Sequence, residues 1–467
     1  MTSPSPGRLQ SVLGLGFGLA GAVGGTIGAG ILRTPGLVAA QLGEPWLIWG
    51  CWIVGGLYAL LGAVAVAELA AALPRAGGWW IYAQRAFGAR AGLLTGWTDW
   101  LAHCIGLAWV ATTAGDYTAP LLPTAWLPSG LLSAGAAVVS KAIGLTVIGL
   151  FSLIQWRGVK AGSASQELLS LAKAAAFAAL VVACFVLAPA EPPGTPPPLP
   201  TPLETGAELR WPGLLVPLVV ALQGVITTYD GWASPAYFAE EFSEPGRDLP
   251  RSLIGGVLAV LLLYLLINAG LLRVLPLPVL ATANLPAATA ATALIGPAGG
   301  LVISAVALIA LLGLINTAIM AAPRILYGLS TADLLPVPAL RAVNSGGTPA
   351  PALLLTAATA AALVLLGNFE RLLAMGAVLY VSLPLIGMAS LLALRAREPD
   401  LPRPFRCWGY PVTPLLIAGG SLAFVLAAVA ADPLSSLAAL ALAAVAYPAA
   451  AAAPAPGSGA PPDSPER

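Results

Sequence analysis

Four features with chemical potential interrupt the long apolar stretches of this sequence. They are the glycine-rich Gly24–Leu32 (GGTIGAGIL), the carboxylate of Asp230 followed by a glycine, the ammonium of Lys173, and an acid and an imidazole four residues apart at Asp99 and His103. A charged side chain within an apolar helix is costly and usually marks a pathway or a paired group. The glycine-broken stretch is a binding-site candidate, because freed N–H and C=O groups can hold a ligand.

The residues needed for metal or nucleophile chemistry are scarce. There is one histidine, and the four cysteines are scattered without CxxC spacing, so neither a metal site nor a disulfide framework is predicted. HExxH and GxSxG motifs are absent, which argues against an enzyme. The net charge of +1 gives no reason to expect a nucleic-acid partner. We therefore expect no metal and no cofactor.

The elements that must position these residues are membrane-spanning helices. The chain of 467 residues is 58% hydrophobic and 9% charged, with a mean hydropathy of +0.88, whereas soluble proteins carry about 25% charged residues. Apolar runs of about 20 residues are long enough to cross a bilayer. Twelve such runs occur, of which the first (12–40), the sixth (211–240) and the eighth (297–330) are long, as tilted or broken helices would be.

The positive charges predict the orientation of these helices. With a cytoplasmic N-terminus, the outside loops contain Arg210, Arg273 and Arg371. The inside loops contain many more, namely Arg75, Arg85, Arg90, Arg157, Lys160, Arg247, Arg251, Arg341, Arg395, Arg397, Arg403 and Arg406. Both termini are therefore expected in the cytoplasm, which agrees with an even number of helices.

The first run contains four glycines, and each costs roughly 0.5–1 kcal/mol against alanine in a helix. Broken backbone within a membrane is tolerated where it is buried in protein or lines a cavity. Two interpretations stand on this stretch alone: a ligand site built from freed main-chain groups, or a close helix crossing through Gly24 and Gly28.

The sixth run contains a matching interruption around Asp230-Gly231 and Pro235. Interruptions at matching positions of two halves indicate an inverted-repeat transporter with its site near the bilayer midplane. The two interruptions lie in helices 1 and 6, five helices apart. Because five is an odd number, the second half must insert with the opposite topology. The predicted fold is an all-α polytopic membrane protein with about 12 helices, built as a 5+5 inverted repeat with helices 1 and 6 broken and two helices added.

The predicted segments follow from these runs and from two stretches of biased composition. A proline-rich linker cannot be helical, and a tail rich in Pro, Gly and Ser is expected to be disordered. In order they are a cytoplasmic N-terminal segment (1–10), the first repeat (11–188), the extracellular linker (189–210), the second repeat (211–396), a loop with helices 11 and 12 (397–450), and the cytoplasmic tail (451–467).

Six motifs in order resemble those of the amino acid–polyamine–organocation (APC) superfamily of transporters, over nearly the whole chain. The similarity is greatest to bacterial permeases that resemble L-type amino acid transporters. The motifs are GGTIGAGILRTPG (24–36), AEL with LPRAGG (67–69 and 73–78), RGVK followed by Lys173 (157–160), YDGW with EE and EPGRDLP (229–232, 240–241 and 244–250), PR with YG (323–324 and 327–328), and PDLPRPFR (399–406).

This resemblance implies amino acid transport by alternating access, with the substrate's carboxylate and amino groups held by main-chain atoms at the two interruptions. It assigns substrate binding to Thr26, Ile27, Gly28, Ala29, Gly30, Ile31, Thr227, Thr228, Tyr229, Asp230, Gly231 and Trp232. It also places Lys173 beside the first interruption, where sodium-coupled relatives hold an ion. Lys173, about 14 Å into its helix, is then a coupling or gating cation, and transport is sodium-independent.

Several residues keep a second interpretation. Lys173 could be a structural contact to helix-end carbonyls, and Asp230 could cap a half-helix rather than contact substrate. Tyr229 and Trp232 are more typical of packing than of gating, and Thr227 stands near where the family often has an aromatic gate. Asp99 and His103 fit a buried pair better than a proton relay. Glu68 is expected to pair with loop arginines, whereas Asn316 and Lys141 receive no assignment.

The predicted function is secondary transport of a neutral L-amino acid across the plasma membrane, by exchange or by proton coupling, with no obligate partner subunit. The alternatives are a cationic amino acid or polyamine antiporter, suggested by Asp230, and a sensor that binds an amino acid without moving it. A channel is disfavoured because a single copy of each broken helix does not form a symmetric filter.

Overall fold

The structure is a computed structural model that describes residues 9–28, 30–122, 135–188, 214–367 and 369–447. The predicted linker (189–210), the tail (451–467), most of the N-terminal segment (1–10) and Ala29 lie outside those ranges. Within them the regular structure is helical, and the one β-type pairing there is an isolated bridge between Leu13 and Phe242.

Sixteen α-helices form the described part of the chain. They are α1 (Leu15–Thr26), α2 (Gly30–Leu42), α3 (Pro45–Ala72), α4 (Trp79–Phe87), α5 (Ala89–Thr118), α6 (Ala136–Trp156), α7 (Val159–Val186), α8 (Leu215–Tyr229), α9 (Pro245–Val274), α10 (Leu277–Thr282), α11 (Pro286–Ile295), α12 (Ala298–Thr331), α13 (Ala350–Leu366), α14 (Phe369–Arg397), α15 (Val412–Ala431) and α16 (Pro433–Ala444). Short 3-10 helices cover Ala119–Leu121, Ser234–Glu241 and Pro338–Arg341.

Seven of these helices are long and apolar enough to cross a membrane by themselves, and α1 with α2 makes an eighth span that bends by 47° at its break. α5 has 30 residues but carries Asp99 and His103 in its middle. α8 continues through a break into the 3-10 helix Ser234–Glu241. With α13 and the shorter α16, these segments follow the order of the twelve predicted runs.

Three helices lie between the predicted runs and were not anticipated: α4, α10 and α11. The last run also differs, because α16 ends at Ala444 whereas the apolar stretch continues to residue 450. α4 has 9 residues and α10 has 6, too few to produce a spanning-length apolar signal.

The packing follows the pattern expected of two five-helix repeats. The second helix of the first set, α3, packs on its counterpart α9; the third, α5, packs on α12; and the fourth, α6, packs on α13. The two broken spans meet through α2 and α8, and α15 packs on α14 at the edge of the bundle. The chain is thus an all-α polytopic membrane protein in which both interruptions lie within the bundle.

Candidate functional site

The first break separates α1 from α2. α1 ends at Thr26, and Ile27 leaves the helix with an extended backbone (φ −74°, ψ 102°). α2 begins at Gly30, so Gly28 lies between the two half-helices. The last carbonyls of a helix and the first N–H groups of the next have no intrahelical partners. Hydrogen-bond acceptors and donors of the main chain are therefore both available at this break.

Lys173 of α7 lies at this break, as the resemblance implies. Its Nζ donates to Gly24 O at 2.7 Å and to Ile27 O at 3.0 Å, and the side chain is fully buried. Both acceptors belong to the end of α1, where the helix dipole favours a cation. On the other side, Lys173 packs against Gly313 of α12, where a Cβ would lie 2.6 Å from Nζ.

Tyr264 of α9 is a site residue that the sequence analysis missed. Its hydroxyl lies 3.2 Å from Thr26 O and 3.1 Å from Thr228 O, so it bridges the ends of α1 and α8. It is fully buried. An isolated tyrosine in the apolar run LLLYLLIN was the available signal, but aromatic residues in such runs are usually packing.

The second break follows Tyr229, the last residue of α8. Asp230 is extended (φ −64°, ψ 159°), and Gly231 has a φ of +98°, a conformation that glycine adopts at little cost. The chain then continues as the 3-10 helix Ser234–Glu241. The sequence located this break correctly to within a residue or two.

The two breaks touch each other through main chain. A Cβ on Gly231 would lie 2.1 Å from Gly25 O, and a Cβ on Gly25 would lie 2.6 Å from Gly231 O. Gly24 instead faces α7, where a Cβ would lie 2.0 Å from Gln166 Nε2 and 2.5 Å from Ser170 Oγ. The close approach of Gly24 to α7 agrees with the helix-crossing interpretation, whereas the ligand site at the freed main-chain groups stays a prediction.

The nearest neighbours of Gly28 and Gly30 are side chains. Leu314 Cδ1 would lie 2.8 Å from a Cβ on Gly28, and Thr228 Oγ1 would lie 3.1 Å from one on Gly30. The second break differs, because Gly231 has a positive φ and faces main chain.

The predicted binding residues divide by exposure. Thr26, Ile27, Ile31, Thr228, Tyr229 and Trp232 have buried side chains, so they can offer substrate only main-chain groups, whereas Thr227 and Asp230 have exposed side chains. Thr228 Oγ1 lies 2.7 Å from Thr34 Oγ1, which joins α8 to α2. Ala29 lies outside the described residues.

Tyr229 and Trp232 serve as packing, in line with the commoner interpretation. The Tyr229 ring contacts Trp52 and Tyr264 at centroid distances of 5.9 and 5.0 Å, and its hydroxyl donates to Trp52 O. Trp232 packs edge-on against Trp79 and against Gly62, where a Cβ would lie 2.7 Å from the indole.

Asp99 and His103 form a buried pair that extends to the second broken span. His103 Nδ1 lies 3.1 Å from Asp99 Oδ1 and 2.9 Å from Asp99 O, so this nitrogen carries the proton. Tyr237 of the 3-10 helix donates to Asp99 Oδ1 at 2.9 Å. Asp230 is close enough to His103 for their charges to interact.

Three unassigned or loosely assigned polar residues have structural roles. Asn316 accepts from Gln155 at 2.8 Å and donates to Gln166 at 2.8 Å, so it contacts α6 and α7 rather than the breaks. Lys141 Nζ donates to Leu365 O and Gly367 O at the end of α13. Glu68 accepts from two arginines, Arg395 at 2.7 Å and Arg403 at 3.1 Å, as predicted.

On the N-terminal face, where α1 begins, main-chain hydrogen bonds and a buried ion pair hold the end of the second broken span. Leu13 N–H donates to Glu241 O at 2.8 Å and Ser243 N–H donates to Leu13 O at 2.9 Å, which joins the start of the chain to the end of the second broken span. Arg324 Nε donates to Glu241 Oε1 at 3.0 Å, and neither side chain is exposed. A buried ion pair of this kind is strongly destabilised by the loss of one partner.

Two broken spans that meet through main chain inside a repeated helical bundle define a polytopic membrane transporter. Comparison with known proteins gives the family. The profile of the family described as Amino acid permease matches residues 9–449. The chain belongs to this family, within the amino acid–polyamine–organocation superfamily, and the predicted resemblance is confirmed. The expectation of a transporter rather than an enzyme agrees with the family.

Characterised relatives resemble the chain over most of its length. The serine/threonine exchanger SteT of Bacillus subtilis is 27% identical over 421 residues, covering 90% of this chain and 91% of SteT. The human large neutral amino acids transporter small subunit 2 is 26% identical over 387 residues, which cover 82% of this chain and 70% of that protein. The rat b(0,+)-type amino acid transporter 1 is 26% identical over 440 residues, which cover 92% of this chain and 85% of that protein.

Proposed function

We propose that this permease moves a neutral L-amino acid across the plasma membrane by alternating access, without sodium, as an exchanger or a proton-coupled carrier. The observation that carries the proposal is the contact between the two breaks, with the Lys173 ammonium on the carbonyls of Gly24 and Ile27. This contact brings helix-end N–H donors and C=O acceptors close together, beside a fixed positive charge.

An α-amino acid matches these groups because its carboxylate and ammonium share one carbon. At the N-terminus of α2, around Gly30 and Ile31, the first N–H groups have no intrahelical partners and the helix dipole is positive, which suits the carboxylate. The carbonyls at the ends of α1 and α8 suit the ammonium. Main-chain recognition of this kind is independent of the substrate's side chain.

Lys173 supports the sodium-independent part of the proposal. A fully buried ammonium already satisfies two carbonyls at the first break, and a second cation at the same oxygens would meet its repulsion. We assign Lys173 a gating role: it ties the end of α1 to α7, and release of that tie accompanies movement of α1. Proton carriage by the same residue is a further step of the proposal.

A cationic amino acid is the second candidate substrate. The observation that favours it is the exposed side chain of Asp230 at the second break, near His103. The neutral substrate is preferred because the described residues near the breaks contain no acidic cluster of the kind a polyamine would need. The similarity to SteT, a serine/threonine exchanger, supports the neutral substrate and the exchange mode.

The test is uptake of labelled serine, leucine and lysine into proteoliposomes that contain only the purified chain. We expect serine or leucine uptake that is accelerated by internal amino acid or by an inward proton gradient, and that is unchanged when potassium replaces sodium. Binding without uptake would indicate a sensor, preferred lysine uptake the cationic alternative, and a sodium requirement would refute the role of Lys173.

The same preparation tests the proposal that no second subunit is required, because activity of the purified chain alone suffices. The need for a second subunit has to be tested because the human relative is named a small subunit.

The orientation of the chain in the membrane is tested separately. Thr195→Cys and Ser464→Cys, each in a cysteine-free background, should react with an impermeant thiol reagent from outside and inside respectively. Labelling of both from one side would refute the proposed cytoplasmic termini.

A further inference from the structure

A groove opens on the outer surface of the bundle at the N-terminal face, between the first turns of α9 and the loop before α15. Its volume is about 510 Å³. The residues that matter here are two arginines, two apolar positions further along α9, and two loop residues that form the opposite wall: Arg247, Arg251, Gly255, Leu258, Pro404 and Phe405. We call this the basic groove.

The basic groove has an uncompensated positive charge. Arg251 is exposed and has no hydrogen-bond or ion-pair partner among the described residues. Arg247 pairs with Glu244 at 3.0 Å, but both side chains are about 60% exposed, and such pairs are weak. Asp248, on the same turn, does not line the groove. An anionic group entering here would meet two guanidinium groups that form multiple hydrogen bonds with phosphate.

The groove continues into a lipid-facing stripe. Leu258, Leu262 and Leu266 are 47, 61 and 40% exposed at four-residue intervals on α9, so they lie on one side of the helix. Arg251 lies on the same side, about 10 Å before Leu258 at 1.5 Å per residue. A cationic group above an exposed apolar stripe is complementary to a phospholipid, in which an anionic phosphate lies above hydrocarbon chains.

Aromatic residues mark the level of the groove in the membrane. Phe405 of the groove wall contacts Trp408 at a centroid distance of 5.8 Å, and Trp408 is 57% exposed. Exposed tryptophans are enriched at the membrane–water interface, where headgroups lie. Gly255 lines the groove without a side chain and packs closely against Leu19 of α1, where a Cβ on Gly255 would lie 3.1 Å from Leu19 Cδ2.

From these features we infer that the basic groove binds an anionic glycerophospholipid, with its phosphate on Arg251 and Arg247 and an acyl chain along Gly255 and Leu258. The inference goes beyond the proposed function and does not depend on the transported substrate. Because Gly255 of the groove packs against Leu19 of α1, a lipid bound along α9 lies next to one half of the first broken span, and it should influence the rate at which that half-helix moves.

The test uses the purified protein in nanodiscs of phosphatidylcholine with or without phosphatidylglycerol, and lipid retention is measured by native mass spectrometry. We expect phosphatidylglycerol to be retained in preference to phosphatidylcholine. Arg251→Gln should weaken retention about fivefold, the effect of one basic residue near an anionic surface. Arg75→Gln is the matched control, because Arg75 is exposed on the same face and does not line the groove.

Further measurements distinguish binding of a lipid headgroup from binding of free phosphate. Glycerol phosphate and inorganic phosphate should not displace the lipid, and Gly255→Leu should lower lipid retention while thermal unfolding confirms that the variant folds. Equal retention of the two lipids, an equal effect of Arg75→Gln, or full displacement by inorganic phosphate would each overturn the inference. Amino acid exchange that is faster with phosphatidylglycerol in the native chain but not in Arg251→Gln would further support it.

Discussion

Replacement of Lys173 by methionine is expected to stop transport while the substrate still binds. Methionine has a similar length and fills the buried site between α1 and Gly313, but it carries neither charge nor donor. The variant loses the hydrogen bonds from Nζ to Gly24 O at 2.7 Å and to Ile27 O at 3.0 Å. The main-chain groups that hold the substrate in our proposal are unchanged.

The magnitude follows from the two bonds. A hydrogen bond to a charged group contributes about 1.5–3 kcal/mol, so the pair contributes about 3–6 kcal/mol. If half of that is specific to one state of the transport cycle, the balance between states shifts by about 1.5–3 kcal/mol, which is about tenfold to a hundredfold. A ligand-driven cycle depends on such differential interactions between states. Exchange should therefore fall at least about tenfold.

Lys141 provides a matched control within the same chain. Its Nζ also donates to two carbonyls at a helix end, Leu365 O at 3.0 Å and Gly367 O at 3.2 Å, but at the end of α13 rather than at a break. Lys141→Met thus removes the same chemistry from a structural position. We expect it to keep exchange close to that of the native chain.

The assay combines initial rates of amino acid exchange in proteoliposomes with equilibrium binding of the same amino acid to the purified protein. The gating assignment requires lost exchange with retained binding in Lys173→Met and neither effect in Lys141→Met. Native exchange rates in Lys173→Met would make the lysine a structural contact. Equal losses in both variants would show that a lysine on helix-end carbonyls is needed for folding alone.

Three further predictions concern the two breaks and the buried ion pair at the N-terminal face. Gly231→Ala should abolish substrate binding, because it strains a φ of +98° and forces a Cβ against the other break, whereas Gly149→Ala, with open space around it, should bind normally in the same assay. Thr227→Phe should slow uptake of leucine more than of serine, because it fills exposed space beside the second break; equal slowing would refute this. Arg324→Met leaves the buried Glu241 carboxylate without its partner, at a cost of about 3–5 kcal/mol, and should lower the temperature of thermal unfolding; an unchanged temperature would contradict the burial of this pair.

Much of the fold could be predicted because membrane crossing imposes a strong length requirement on apolar runs. The positions of both breaks followed from residues that a continuous helix tolerates poorly: glycines in the first span, and Asp230-Gly231 in the sixth. α4, α10 and α11 were missed because short helices that lie between spans need no long apolar run. Their existence depends on packing against α5, α2 and α12, which one sequence does not display.

The site was predictable in its main-chain part and less so in its side chains. Lys173 was found because its charge is conspicuous in an apolar helix, and a contact with helix-end carbonyls had been anticipated. Tyr264 was missed because its hydroxyl becomes informative only when α1 and α8 end beside it. The close approach of Gly25 and Gly231 likewise joins residues about two hundred positions apart, and sequence spacing carries no information about which glycine meets which.

The 3-10 geometry of Ser234–Glu241 determines how far the second broken span reaches. A 3-10 helix rises about 2.0 Å per residue and an α-helix about 1.5 Å, so these 8 residues extend about 16 Å instead of about 12 Å. The 15 residues of α8 add about 22 Å. The two parts of the span therefore extend about 38 Å in total, against about 34 Å if all residues were α-helical, and either length exceeds a hydrocarbon layer of about 30 Å. Rewinding to α geometry would shorten this span by about 4 Å and draw Glu241, with the strand-like contact at Leu13, toward the bilayer centre.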